Sequence, residues 1–324
     1  MRHLRLDRTR RSPWATVSVV VLAAATFAGI SASGAPASSK NASSPPPASA
    51  LVHSLRTCLA SGQVKPTVVL VHGAWADASS WRGEVAVLQA AGYDVRAIAN
   101  PLQNLTTDSA YVADYLKTIH GPVVLVGHSY GGSVITNAAA GQANVRRLVY
   151  VDATAPAPGQ TTGQLSGAGS VVATMKPAEL FYRTTEPSGT PELYLKESVF
   201  IHHFASDLPQ SKAKVLWASQ RGASTAVFDT PSTAAAWKKI PSWYFISTGD
   251  QIITPASELA MAGRAHSHVT VFHGGSHLTL ISHPDAVTAV IASAICSLRR
   301  LRRWPVSAGP AGPYAGRALP RPRA

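Results

Sequence analysis

The stretch Val-Val-Leu-Val-Gly-His-Ser-Tyr-Gly-Gly at residues 123–132 decides the fold class. Its first four residues form an apolar run typical of a buried strand, and the next five match the G-x-S-x-G pattern. In that pattern a strand turns sharply into a helix, so that the hydroxyl of Ser129 stands clear of the sheet. Gly127 and Gly131 leave room for the helix and strand to approach closely. The sequence therefore predicts a reactive serine at the N-terminus of a helix, where unpaired N–H groups favour developing negative charge.

Strand and helix signals alternate on both sides of this stretch. Residues 67–72 form a continuous run, rich in β-branched residues, that is suited to a central strand buried on both faces. The other predicted strands are 94–97, 123–127, 147–151, 243–247 and 268–272. The predicted helices are 81–91, 108–119, 132–140 and 284–298. Ser282 and Asp285 match the S-x-x-D capping box and are predicted to open the last of these helices. This order predicts an α/β fold, with a mostly parallel central sheet and helices on both faces.

Residues 153–239 interrupt the alternation. This segment is rich in aromatic residues and lacks the strand run that should follow each helix in a parallel sheet. We interpret it as a helical cap inserted above the sheet.

The two ends of the chain differ in composition from its middle. Five arginines precede an apolar run at 15–30 and a stretch of small residues, which predicts an export signal at 1–37, cleaved after Ala35 or Ala37. Residues 38–57 are predicted to be a Ser/Ala/Pro-rich linker, 58–298 the folded domain and 299–324 a disordered basic tail. The protein is therefore expected to be secreted or held in the periplasm or cell envelope, by either the general or the twin-arginine route. The alternative is a retained anchor, although the apolar run is shorter than the ~20 residues of a spanning helix.

The overall composition excludes two broad classes of protein. Apolar residues make up 46% and charged residues 14% of the 324-residue chain, which excludes wholesale disorder. The net charge of +13 is concentrated at the ends: residues 1–40 contain six Lys or Arg and one Asp, and residues 299–324 contain seven Arg and no acid. The remaining body is almost neutral, so nucleic acid is not an expected partner.

The two cysteines, Cys58 and Cys296, are 238 positions apart. An even number of cysteines in an exported protein predicts a disulfide. The alternative is a pair of buried thiols.

A serine nucleophile needs a base, and the base needs a group that fixes its tautomer. In this architecture the acid and then the histidine follow the serine, each after a strand. Asp250 follows the strand at 243–247 and His277 follows the strand at 268–272, so we predict a triad of Ser129, Asp250 and His277. Asp152 also ends a strand and is the competing acid, whereas Asp229 lies in the cap.

Two backbone N–H groups are expected to hold the oxyanion, those of Ala74 and Tyr130. Gly73 allows the loop after the first central strand to turn inward. No metal site is predicted, because His202 and His203 lack companion ligands. No cofactor is expected either, since the triad needs none.

These motifs resemble those of the α/β-hydrolase superfamily over residues 67–294. HGAW at 72–75, GHSYGG at 127–132 and the late Ser276-His277 pair are most similar to the branch of plant methylesterases, hydroxynitrile lyases and bacterial pyrethroid-type carboxylesterases. The lyases of this branch have Thr after the strand histidine and Lys after the catalytic histidine. Gly73 and Leu278 occupy those positions here, so the resemblance implies an esterase. Epoxide hydrolases and haloalkane dehalogenases share the fold but use Asp where this chain has Ser129.

The sequence thus predicts an exported serine hydrolase that cleaves small carboxylic esters through an acyl-enzyme on Ser129, with no stable membrane insertion after signal cleavage. A cofactor-free haloperoxidase or perhydrolase and an acyltransferase would use the same triad, and a small-ligand binding protein could keep the fold without the chemistry. The acyl and alcohol preferences and the oligomeric state stay open.

Overall fold

The computed structural model describes residues 45–186 and 189–300. Six parallel strands form the central sheet in the order β2-β1-β3-β4-β8-β9, and three antiparallel strands form a second, smaller sheet in the order β5-β6-β7. The strands are β1 (Thr67–Val71), β2 (Val95–Ile98), β3 (Val123–His128), β4 (Val145–Val151), β5 (Phe181–Thr185), β6 (Pro191–Leu195), β7 (Ala223–Ser224), β8 (Ser242–Ser247) and β9 (His268–Phe272). All six strands predicted for the central sheet are present.

The helices cover both faces of the central sheet, since every residue of β3 and β8 is buried. α1, α2 and α12 pack against one another, and α3 packs against α4. The helices are α1 (Ala48–Thr57), α2 (Arg82–Ala90), α3 (Leu105–Lys117), α4 (Tyr130–Ala138), α5 (Val171–Thr174), α6 (Pro177–Leu180), α7 (Glu197–Val199), α8 (Gln210–Ala218), α9 (Ala226–Asp229), α10 (Pro255–Arg264), α11 (Thr279–Ser282) and α12 (Pro284–Cys296). The predicted α/β fold is therefore confirmed.

The cap differs from the prediction of a wholly helical insertion. Between β4 and β8, short helices surround the antiparallel sheet of β5, β6 and β7, and the segment Phe200–Phe204 is a π-helical turn. Apart from α8, the cap elements are two to five residues long, which is too short for the hydrophobic period to distinguish helix from strand. The cap is a mixed structure whose buried aromatic residues face the main core.

The boundaries of the folded domain also differ from the prediction. The predicted linker 38–57 is too long, because residues 48–57 form α1 and bury Leu51 and Leu55 in the core.

The predicted capping box of Ser282 and Asp285 is wrong. α12 begins at Pro284 without a side-chain cap, and Ser282 Oγ donates instead to Asp207 in the cap. The predicted export signal 1–37, the first residues of the linker and nearly all of the tail 299–324 lie outside the described residues.

Cys58 and Cys296 are joined by a disulfide, as predicted. The bond connects the end of α1 to the last residue of α12. In the part of the chain that the structure describes, no helix combines the length and the apolar character that crossing a membrane requires.

Candidate active site

Ser129 lies at the sharp turn between β3 and α4, with φ 54° and ψ −125°. A positive φ is strained for a residue with a side chain, and this strain directs the hydroxyl away from the sheet. The turn requires glycine at both flanking positions. A Cβ at Gly127 would lie 2.5 Å from the carbonyl oxygen of Gly131, and a Cβ at Gly131 would collide with the backbone of Val71. These glycines therefore let the helix start directly above the strand.

The structure brings Ser129, His277 and Asp250 into one hydrogen-bonded chain. His277 Nε2 lies 2.7 Å from Ser129 Oγ, and His277 Nδ1 lies 2.6 Å from Asp250 Oδ2. Because a carboxylate only accepts, the imidazole donates from Nδ1–H and its Nε2 accepts the serine proton. Asp250 is held in turn by the N–H groups of Ile252 and Ile253, which donate to Oδ1. Each partner in this chain thus fixes the orientation of the next.

The acid and the histidine reach Ser129 from neighbouring strands. Asp250 follows β8 and His277 follows β9, and these two parallel strands end at the same edge of the sheet as β3. The competing acid, Asp152, contacts Ser247 rather than His277 and so lies outside the hydrogen-bonded chain of Ser129, His277 and Asp250. Asp250 is therefore the carboxylate that contacts the imidazole.

Sequence reasoning missed Asp207, which connects the cap to the loop carrying the imidazole. Its carboxylate accepts hydrogen bonds from the hydroxyls of Ser276 and Ser282, on either side of His277. Asp207 belongs to the cap and is 69 residues before Ser276 in the chain. No local motif marks it, because its role depends on a tertiary contact.

The two predicted oxyanion donors, the N–H groups of Ala74 and Tyr130, belong to different segments of the chain. Tyr130 is the first residue of α4, so its N–H has no partner within the helix. Ala74 lies in the loop after β1, where Trp75 adopts a positive φ of 57°. Gly73 is in close contact with the serine: a Cβ there would lie 2.6 Å from Cβ of Ser129 and 3.1 Å from its Oγ. Any side chain at Gly73 would therefore displace the hydroxyl.

Two buried histidines support this geometry as neutral rings. His72 accepts from the N–H of Asn100 at Nε2 and donates from Nδ1 to the carbonyl of Gly73, and burial lowers its pKa to about 4. His128 donates from Nε2 to the carbonyl of His277, and burial lowers its pKa well below the ordinary value. Both rings thus hold loops of the site without carrying charge.

We expect the protein to lose stability in acid through His72. In the unfolded chain this imidazole binds a proton near pH 6.5, whereas in the folded protein it does so only near pH 4. Between these values the unfolded state binds more protons, so the free energy of unfolding falls as the pH drops, by about 3 kcal/mol for His72. The pKa of His128 is lowered too, and its effect has the same sign.

The measurement is urea unfolding of the wild type and His72→Gln at pH 7 and pH 4.5. Gln keeps an acceptor for the Asn100 N–H but does not titrate, so the variant should lose less stability over this interval. Carboxyl groups with raised pKa values, such as that of Glu84, act in the opposite direction in both proteins and cancel in the comparison. Equal losses in the two proteins would contradict the assignment.

An apolar cavity of about 260 Å³ opens beside Ser129, between the sheet and the cap. Trp75 lies in its wall and stacks with Phe181 and with Phe228, at ring-centroid distances of 5.6 Å and 5.3 Å. Among the described residues that line the cavity, Asp229 alone carries a charged side chain, and it is exposed. The cavity is therefore suited to an uncharged molecule with apolar groups.

His202 and His203 lie in the π-helical turn of the cap. His203 Nδ1 lies 2.7 Å from the side-chain oxygen of Gln251. Within the described ranges, the residues that meet the spacing for a metal are three buried carboxyls, those of Asp152, Asp250 and Glu258. Sequence reasoning missed Glu258, since it lies on α10, a helix that was not predicted.

In this parallel sheet a strained serine follows a central strand, and the acid and the histidine follow later strands. This arrangement defines a hydrolase of the α/β class. The sequence pattern of the Alpha/beta hydrolase family matches residues 68–290, and the chain belongs to this family.

One relative in sequence and two solved structures each resemble about 70% of the chain. The Alpha/beta hydrolase nvfD of Aspergillus novofumigatus is 24% identical over 265 residues, covering 71% of this chain and 97% of its own. An extracellular alpha/beta-hydrolase from a Paenibacillus species has a TM-score of 0.59 and 21% identity, covering 71% of this chain and 98% of its own. The methylesterase protein MES16 from Arabidopsis has a TM-score of 0.59 and 19% identity, covering 72% of this chain and all of its own. The two structures support the fold.

Proposed function

We propose that this protein is an exported serine hydrolase that cleaves small carboxylic esters through an acyl-enzyme on Ser129. One observation carries the proposal: Ser129, His277 and Asp250 form a buried hydrogen-bonded chain beside an apolar cavity. An ester is a suitable substrate, because a serine oxygen activated in this way attacks carbonyl carbon. The similarity to a methylesterase and to an extracellular hydrolase supports the proposal.

The first half of the reaction transfers the acyl group to the protein. Ser129 Oγ attacks the carbonyl carbon while His277 Nε2 takes the hydroxyl proton, and Asp250 stabilises the resulting imidazolium. The negative oxygen of the tetrahedral intermediate accepts from the N–H groups of Ala74 and Tyr130, each worth about 3 to 4 kcal/mol in the transition state. The intermediate then expels the alcohol, which receives the proton from His277.

The second half returns the free serine. A water molecule gives a proton to His277 Nε2 and attacks the acyl carbon, and collapse of the second intermediate releases the acid and reprotonates Ser129. This sequence requires neither a metal nor an organic cofactor. The apolar walls of the cavity are suited to the acyl or alcohol group of an uncharged ester.

Export belongs to the same proposal. The signal predicted at 1–37 lies outside the described residues, and the disulfide between Cys58 and Cys296 is typical of a protein from an oxidising compartment. The arginines of residues 1–11 would then be removed before the enzyme acts.

The experiment that tests the proposal combines turnover with covalent labelling. The wild type should hydrolyse p-nitrophenyl acetate or butyrate and bind one equivalent of a fluorophosphonate, with the added mass on the peptide that contains Ser129. Ser129→Ala should not be labelled. Equal labelling of both proteins, or neither turnover nor labelling in the wild type, would contradict the proposal. A series of acyl chain lengths would then show which esters fit the cavity.

A further inference from the structure

Three carboxyl groups meet beneath the loop that carries the imidazole. One oxygen each from Asp152, Asp250 and Glu258 lies within 4.8 Å of the others, and all three side chains are buried. Asp250 is engaged with His277, whereas neither oxygen of Glu258 has a hydrogen-bond partner among the described residues. Three negative charges at this spacing would repel one another strongly in a buried site. Some of these carboxyls must therefore be neutral or neutralised.

The hydrogen bonds around Asp152 identify one neutral carboxyl. Thr279 Oγ1 lies 2.6 Å from the carbonyl oxygen of Ser276, which can only accept, so the threonine proton is used there. The 2.7 Å contact between Ser247 Oγ and Thr279 Oγ1 must then use the serine proton. Ser247 Oγ is also 3.0 Å from Asp152 Oδ2. Three contacts share two hydroxyl protons, so the third proton has to come from the carboxyl.

We propose that Asp152 is held as a neutral carboxylic acid and acts as a positioning residue for His277. Its Oδ2–H donates to Ser247, Ser247 donates to Thr279, and Thr279 donates to the carbonyl of Ser276, which directly precedes His277. Asp152 Oδ1 accepts from the N–H of Ser247, so both of its oxygens are used. This chain of hydrogen bonds fixes the backbone that carries the imidazole.

The surroundings of Asp152 favour the protonated form. Burial is the largest cause that raises its pKa well above the ordinary value, and the charge of Asp250 adds to it. In the described part of the chain, no Lys or Arg forms an ion pair with the cluster. The titratable groups that face it are Asp250 on the loop after β8, Tyr244 on β8, Glu258 on α10, His277 on the loop after β9 and, farther away, Asp207 in the cap.

A bound cation is the alternative way to neutralise the cluster. The spacing of the three carboxyl groups permits a metal ion. However, both oxygens of Asp152 and both of Asp250 already contact protein donors or the Ser247 hydroxyl. A metal would have to displace these contacts, including the one to His277. A proton on Asp152 preserves them all.

Neutral Asp152 also has a consequence for catalysis, which rests on the proposed function. With Asp152 uncharged, Asp250 is the carboxylate that stabilises the protonated imidazole. Asp152→Asn keeps an acceptor for the Ser247 N–H and a donor for its hydroxyl, so it is the matched replacement for a neutral acid. If Asp152 were charged, Asp152→Asn would remove a negative charge near the imidazolium and lower the acid-side midpoint of kcat/KM against pH by about one unit.

The first test uses infrared spectra of the full protein at pH 7, which do not depend on any activity. The carboxylic-acid C=O band of Asp152 should disappear in Asp152→Asn and persist in Glu258→Gln, the control within the same cluster. Should Asp152→Asn fail to fold, Ser247→Ala removes the partner of the same carboxyl and should shift that band. A spectrum in which these substitutions leave every acid band unchanged would overturn the proposal, as would a stoichiometric metal in the purified protein.

The second test is the pH profile of ester hydrolysis. We expect Asp152→Asn to leave the acid-side midpoint of kcat/KM within about 0.3 pH unit of the wild type, because no charge is removed, and Ser247→Ala to lower kcat. A larger shift of the midpoint in Asp152→Asn would overturn the neutral assignment. If the wild type cleaves no ester, the proposed function fails, while the infrared result still decides the state of Asp152.

Discussion

Ser129→Ala is expected to lower kcat for p-nitrophenyl butyrate by about 10⁵- to 10⁶-fold, because loss of the nucleophile removes the acyl-enzyme route. His277→Ala should cost about as much, since without Nε2 the serine proton has no acceptor. The two effects should not add. A double variant is expected to be about as slow as either single variant, because the two residues act as one unit.

Single-turnover and steady-state kinetics of the three variants test this expectation, each with its fold checked by circular dichroism. Ser133→Ala is the matched control: it also removes a buried serine hydroxyl, from α4, but this hydroxyl bonds to Thr154 and Thr162 rather than to His277. It should keep kcat within about tenfold. A loss in Ser129→Ala no larger than that in Ser133→Ala would contradict the role of Ser129 as the nucleophile.

The central sheet could be predicted from the sequence because the signals for its strands are local. The run Thr67–Val71 is continuous and rich in β-branched residues, as is typical of a strand buried on both faces, and the glycines around Ser129 mark a turn that few other residues allow. Asp250 and His277 could be assigned because parallel strands end at one edge of the sheet. Their order in the chain therefore implied their proximity.

Other features could not be predicted from the sequence because they depend on contacts between segments that are distant in the chain. Asp207 holds the loop of His277 from the cap, and nothing near it in the chain marks this contact. The protonation of Asp152 depends on which hydroxyls surround it, and Asp152 appeared only as a competing acid. The sequence predicts a linker where the structure has α1, because the Ser and Ala residues around Leu51 and Leu55 obscure their helical spacing.

Removal of the disulfide is expected to lower the free energy of unfolding by about 5 kcal/mol, because the bond closes a very long loop and restricts the unfolded chain. Cys58 and Cys296 are 238 residues apart, so almost the whole described domain lies inside the loop. The loss would be a large fraction of the 5–15 kcal/mol that is typical of a folded domain. Neither cysteine lines the cavity beside Ser129, so kcat of the folded protein should change little.

The measurement is urea unfolding of the wild type and of the double variant Cys58→Ser/Cys296→Ser, each with and without dithiothreitol. The reductant should bring the wild type to the stability of the double variant and leave the double variant unchanged, since the disulfide is the group it acts on. Because α1 is joined to α12 by this bond and by packing, we expect α1 to gain hydrogen-exchange mobility first. A loss below about 1 kcal/mol would contradict this expectation and would mean that the unfolded chain is restricted even without the covalent bond.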